Sequence, residues 1–109
     1  MKIWVDDIRK PSKGYIWVKS CNQCIHLILT YYANYLATKD DRFIIEKIDL
    51  DHDAGDMYGD GGDFKSILEF FEIYQDTFPY IPAFHIHSMN PVGAENMRRI
   101  IKHNGWVEI

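Results

Sequence analysis

Six aspartates, Asp49, Asp51, Asp53, Asp56, Asp60 and Asp63, fall in one short stretch with no lysine or arginine between the first and the last. Carboxylates packed this densely repel one another unless water screens them or a cation binds. The stretch Lys47-Ile48-Asp49-Leu50-Asp51-His52-Asp53 runs from an apolar segment into alternating acids with a histidine among them. At the carboxyl end of an α/β strand, where open sheets bind ligands, a cation is a better reading than a solvated acidic loop. An EF-hand is excluded: Ala54 stands where that loop needs glycine, the last ligand is Asp rather than Glu, and a strand precedes it.

Two further clusters share this chemistry. Asp6-Asp7, with Arg9 close behind, follows Lys2–Val5, and His87-Ser88 precedes Asn90-Pro91. Asp6, Asp7, Asp51 and Asp53 are candidate ligands for a hard divalent cation such as Mg²⁺ or Mn²⁺. Arg9, with the amides that open the helix after Asn90, is suited to hold a phosphate. His52 and His87, from two different strand ends, have the arrangement wanted for an acid and a base. His85 lies one step deeper on the face of His87 and reads as a bracing residue. A phosphodiester needs all three services: neutralised oxygens, an activated nucleophile and a protonated leaving oxygen.

The elements that would position these groups follow from periodicity. Strands are expected at Lys2–Val5, Tyr15–Val18, from Phe43 into the acidic stretch, at Ala83–His87 and at Trp106–Ile109. A helix capped by Ser20, with Gln23 completing a capping box, carries Cys21, Cys24, Ile25, Ile28, Tyr32, Tyr35 and Leu36 at helical spacing. A second helix is expected after Asp63 as cap, with Phe64, Ile67, Leu68, Phe71 and Tyr74 along its apolar face. A third starts at Asn90-Pro91, buries Met97, Ile100 and Ile101, and ends at Gly105. This order predicts one α/β domain over residues 1–109, with a five-stranded, mostly parallel sheet and about three helices. In such a sheet the three chemical clusters lie along one edge.

The chain has 109 residues, 47 % of them hydrophobic and 15 % aromatic, enough for one core. A net charge of -4 and no sustained basic run argue against a broad nucleic-acid surface, though not against a locally held phosphate. No segment reaches the ~18 apolar residues of a membrane span, and the N-terminus lacks a signal-peptide core, so a soluble cytoplasmic protein is the expectation. Cys21 and Cys24 have redox-pair spacing, but they also match the apolar face of their helix, and the structural reading is preferred.

Acids after the first and third strands resemble the acidic pocket of response-regulator receiver domains. Ser88 stands where receivers keep a hydroxyl residue, which makes it a catalytic candidate. The lysine receivers carry after a fifth strand has no place before Ile109, and their first helix is missing, so ordinary phosphorelay is not expected. The sequence is more closely similar to the cyclic-phosphate processing receiver-like family. The resemblance rests on Asp6-Asp7-Ile8-Arg9-Lys10-Pro11, on Leu50-Asp51-His52-Asp53, and on His87-Ser88-Met89-Asn90-Pro91-Val92-Gly93-Ala94-Glu95-Asn96-Met97. It departs at Ala54-Gly55, where the family carries Leu-Gly. The resemblance implies a flavodoxin-like three-layer sandwich and a metal-dependent phosphoesterase acting on a cyclic phosphate of a nucleotide or RNA end. Asn90 and Asn96 join Arg9 as substrate-binding candidates. The rival expectation is a non-catalytic module that binds a metal and a phosphorylated ligand or protein partner.

Overall fold

A computed structural model describes residues 1–109. Strands β1 (Lys2–Val5), β2 (Tyr15–Val18), β3 (Lys47–Leu50) and β4 (Ala83–Ile86) form one sheet in the order β2-β1-β3-β4, every neighbouring pair parallel. The helices are α1 (Cys21–Thr38), α2 (Lys65–Tyr74) and α3 (Pro91–His103). Alternation sends Ile3, Val5, Ile48, Leu50, Phe84 and Ile86 to one side of the sheet, each buried. They merge there with Cys24 and Ile28 of α1, Ile67 and Phe71 of α2, and Met97 and Ile101 of α3 into a single core.

That single core corrects the layer count. All three helices bury their apolar faces against the same side of the sheet, giving two layers rather than a three-layer sandwich. The opposite face carries Trp4, Tyr15, Trp17, Lys47, Asp49 and His85, none of which enters the core cluster. The cause lies between β1 and β2, where residues 6–14 return as a strap with no helix, as the missing first receiver helix implies. Trp4 Nε1 donates to the Arg9 carbonyl and Trp17 Nε1 to the Asp6 carbonyl, both at 2.7 Å, tying the strap down.

The sheet has four strands, not five. Residues 106–109 run beside β4 but make one parallel bridge, Phe84 with Glu108. Val107 and Ile109 are 59 % and 58 % exposed, so no buried face fixes a longer register. The third strand is also shorter than expected. Asp41–Phe43 is a 3₁₀ turn capped by the Asp40 side chain, and pairing begins at Lys47.

Ser20 caps α1 by accepting from Gln23 N at 3.1 Å, while the Gln23 side chain bonds the amide of Lys19 instead of Ser20. Asn90 caps α3 through Gly93 N at 3.0 Å, with Pro91 as first helical residue. Asp63 does not cap α2: its Oδ1 accepts from the fully buried Ala54 amide at 3.1 Å, a donor with no other outlet. Cys21 and Cys24 are wholly buried, and burial pushes the Cys21 thiol up to about 12 and Cys24 higher still. Both therefore stay protonated, which removes the thiolate that redox exchange needs. No helix is long and apolar enough to cross a membrane.

Candidate metal and phosphate site

Register brings the chemistry together. Val5 pairs with Leu50 and Leu50 with Ile86, so Asp6, Asp51 and His87 leave the sheet side by side. The ladder continues one step further, with Asp51 N–H donating to Val5 O and His87 N–H to Leu50 O, both at 2.9 Å. Asp6, Asp7, Ile8, Arg9, Asp51, Asp53, Met89 and Asn90 line one cavity of about 380 Å³ above these ends. Six of the ten residues singled out from the sequence thus meet in one place.

Asp6 is the anchor of the site. It is 1 % exposed, and its Oδ1 accepts from the amides of Ile8 (2.9 Å) and Arg9 (2.8 Å). Its Oδ2 takes Arg9 Nε and His87 Nε2, both at 3.0 Å. Burial alone would raise its pKa, but the Arg9 and Ile8 amides, the His87 imidazole and the Arg9 charge outweigh it and hold the carboxyl below its usual range. A carboxylate offers about four lone-pair positions, and here four donors fill them. Asp6 organises the site more than it offers a ligand atom to it.

Arg9 reaches across the cavity. Its Nη2 donates to the His87 carbonyl at 2.9 Å and lies 3.6 Å from Asp51 Oδ1. The acidic stretch therefore does have a basic neighbour, supplied by another strand end. Its other acids are mostly partnered too: Asp60 accepts from Ser20 and Asn22, Asp63 from Ala54, and Asp49 faces His87 and Lys47. Asp56 has no such partner, and among the four carboxylates that line the cavity Asp7 is the exception. No donor from another residue bonds its carboxylate, and burial together with the Asp6, Asp51 and Asp56 charges holds its pKa above the usual range. Asp6, Asp7 and Asp51 present oxygens within 4.8 Å of one another. A divalent cation fits this donor set, because Asp7 lacks a counter-charge and Asp51 Oδ2 carries no donor. Gly55 packs against Asp7 at φ +54, and a Cβ there would fall 2.3 Å from Asp7 Oδ2.

The two histidines differ. His87 uses both ring nitrogens on carboxylates, Nδ1 with Asp49 Oδ1 at 2.6 Å and Nε2 with Asp6 Oδ2, and stacks on Trp4 at 3.8 Å. That geometry leaves it no nitrogen for a ligand, so it acts here by holding Asp6. His52 uses only Nδ1, with Asp53 Oδ1 at 2.8 Å, and its Nε2 has no protein partner. The His52 bond, helped by Asn90, holds the Asp53 carboxyl below its usual range. Ser88 Oγ accepts from Asn90 N at 3.0 Å and shapes the turn into α3. Asn96 lies elsewhere, accepting from Arg99 in a groove between α2 and α3.

Asp49 had no role assigned from the sequence, although it is 4 % exposed in mid-strand on the face away from the core. An acid at an alternating position two residues before Asp51 was the available signal. Gly93 is the other such residue: a Cβ there would fall 2.4 Å from His52 Cγ, so glycine is what lets the imidazole lie against α3. Gly93→Ala is expected to lose about 1–3 kcal/mol through overpacking, despite a helix-propensity gain of about 1 kcal/mol. Urea melts measure the loss, and the displaced His52 ring signals in NMR report its cause.

A family model described as Cyclic-phosphate processing Receiver domain matches residues 1–103. No curated protein and no solved structure matches the chain. With that match covering nearly all of a parallel sheet whose three acidic and histidine-bearing strand ends meet at one edge, the chain belongs to the cyclic-phosphate processing receiver domain family.

Proposed function

We propose that the protein is a metal-dependent phosphoesterase that opens a cyclic phosphate carried by a nucleotide or an RNA end. The observation that carries this reading is the meeting of an unpaired carboxylate, Asp7, with Asp51 and the Arg9 guanidinium in one cavity. Such a cavity offers a hard-cation site and an anion clamp a few ångströms apart, the two charges a phosphodiester requires. Asp7 and Asp51 would hold Mg²⁺ or Mn²⁺, which when bound supplies neutralisation of the phosphoryl oxygens.

The chain's own residues do the rest. Arg9 is 43 % exposed in its side chain, with Nη1 free of protein partners, and it binds and orients the phosphate. Asp53 holds the His52 Nδ1 position and leaves Nε2 to carry a proton, the division of labour seen wherever a carboxylate orients an imidazole. The Asp49–His87 pair keeps Asp6 in place, and Asp6 fixes the strap that presents Asp7 and Arg9.

One observation favours a module that binds without turnover: with both His87 nitrogens consumed, the one candidate imidazole with a free nitrogen is His52, which is not among the residues lining the cavity. His52→Ala separates the two readings. Removing a positioned acid or base costs about a hundred- to ten-thousand-fold in rate, so the variant should lose most hydrolysis of cyclic phosphodiesters while still binding cation. Near-parental turnover in His52→Ala would remove that residue from the chemistry.

A further inference from the structure

The sheet face turned away from the helices carries a feature the acidic cavity does not use. Tyr15 and Trp17 project from β2 on this face, beside Lys2 and Trp4 of β1. Lys2, Lys10, Lys13 and Lys19 surround them, all exposed, whereas the lysines with carboxylate partners are Lys47 and Lys65. In a chain of net charge -4, residues 1–20 hold five basic side chains against two acidic ones. Folding therefore gathers on one face a positive charge that the overall balance conceals.

The aromatic rings already attract cations. Lys19 Nζ lies 4.4 Å from the Trp17 ring centre, and Lys2 and Lys47 lie 5.5 Å and 5.4 Å from that of Tyr15. Strap residues Lys10–Gly14 close with Tyr15 and Trp17 around a second cavity of about 560 Å³, within the size range of small-ligand pockets. The strap is common to both cavities: Asp6–Arg9 line the acidic one and Lys10–Gly14 the aromatic one.

We propose that this face binds a single-stranded polynucleotide. Its bases lie on Trp17 and Tyr15, its phosphates on Lys10, Lys13 and Lys19, and its end crosses the strap into the acidic cavity. The direction of the strand rests on the proposed phosphoesterase reading; the binding itself does not. Aromatic faces interleaved with lysines are what single strands need, because every base has a π-face and every linkage a charge. The exposed lysines over the rings are flexible enough to move aside onto phosphates as bases stack. The strap, held by Trp4 and Trp17, covers part of this face and leaves Tyr15 and Trp17 half-buried, and a second copy of this chain is a poor cover for the rest. A two-fold pairing would set four unpaired lysines against the same four. An acidic peptide would satisfy the lysines but leave the rings without a purpose.

The test is fluorescence anisotropy with a labelled ten-nucleotide oligouridylate between 50 and 200 mM salt, on the full chain and on a Lys10→Ala/Lys13→Ala/Lys19→Ala variant. The parent should bind with quenching of tryptophan fluorescence. The variant, checked for folding by circular dichroism, should bind at least tenfold more weakly, with a log–log salt slope shallower by about two. Polyglutamate of matching charge should fail to displace the oligonucleotide. No binding by the parent at 50 mM salt, parental binding by the triple variant, or equal competition by polyglutamate would each overturn the proposal. Turnover of a cyclic phosphodiester is measured separately, so a failure of the phosphoesterase reading shows in turnover and a failure of this one in anisotropy.

Discussion

Asp51→Asn is expected to reduce turnover of a cyclic phosphodiester by about a hundred- to ten-thousand-fold, and to abolish the thermal shift that Mg²⁺ or Mn²⁺ gives the parent. A cation's charge on a phosphoryl oxygen is worth several kcal/mol in the transition state, and each 1.4 kcal/mol is about tenfold in rate. Asparagine keeps the oxygen that accepts the His52 amide at 2.8 Å, so the turn after β3 should survive. What it removes is one of the carboxylates beside Asp7. Because burial, and then repulsion from neighbouring carboxylates, raise the Asp7 pKa, metal-free protein loses stability as pH rises through that raised value. Added cation should offset this loss in the parent and not in Asp51→Asn. Equal cation responses in the two proteins would place the ion elsewhere.

Asp6→Ala should be the most destabilising single change at the site, costing about 3–5 kcal/mol because it leaves buried positive and polar groups without their partner. Four hydrogen bonds end on this carboxylate, two from strap amides and two from Arg9 and His87. A fall in Tm of at least about 10 °C follows for a domain of this size. The pH dependence has a definite sign. The Asp6 pKa is lowered in the folded chain, so its stabilisation is fully present above the ordinary carboxyl range and lost as pH falls through the lowered value. The urea midpoint of the parent should therefore fall as pH is lowered into the acid range, and that of Asp6→Asn should change less. A parental melting profile for Asp6→Ala would show that the strap is held by the two tryptophans alone.

The convergence of Asp6, Asp51 and His87 was legible because parallel strands in register must bring their carboxyl ends to one edge, and the strand-end residues could be read from alternation. The roles within that edge were not legible. Arg9 meets the His87 carbonyl across 78 residues of sequence, His87 meets Asp6 across 81 and Asp49 across 38. Counting charges along Asp49–Asp63 left out Arg9 and Lys47, which face Asp51 and Asp49, and the hydrogen-bond donors that reach Asp60 and Asp63 from outside their own sequence neighbourhood. The same limit hid the helix-free sheet face. Alternation shows which strand residues share a face, but the side on which a helix lands depends on crossovers, and here the first crossover is the helix-free strap. Asn96 enters the candidate site through the family's motif, yet it lies beyond the first turn of α3, where the helix has turned it from the cavity.

The most direct test of the central claim is phosphorus NMR of the purified protein with a cyclic phosphodiester, in Mn²⁺ or Mg²⁺ and again with excess chelator. The account predicts conversion of the cyclic ester to a phosphomonoester that requires the cation and is lost in Asp51→Asn. No conversion by the parent at any pH with either ion, alongside retained binding of the ester, would contradict it and leave a pocket that binds phosphate without cleaving it.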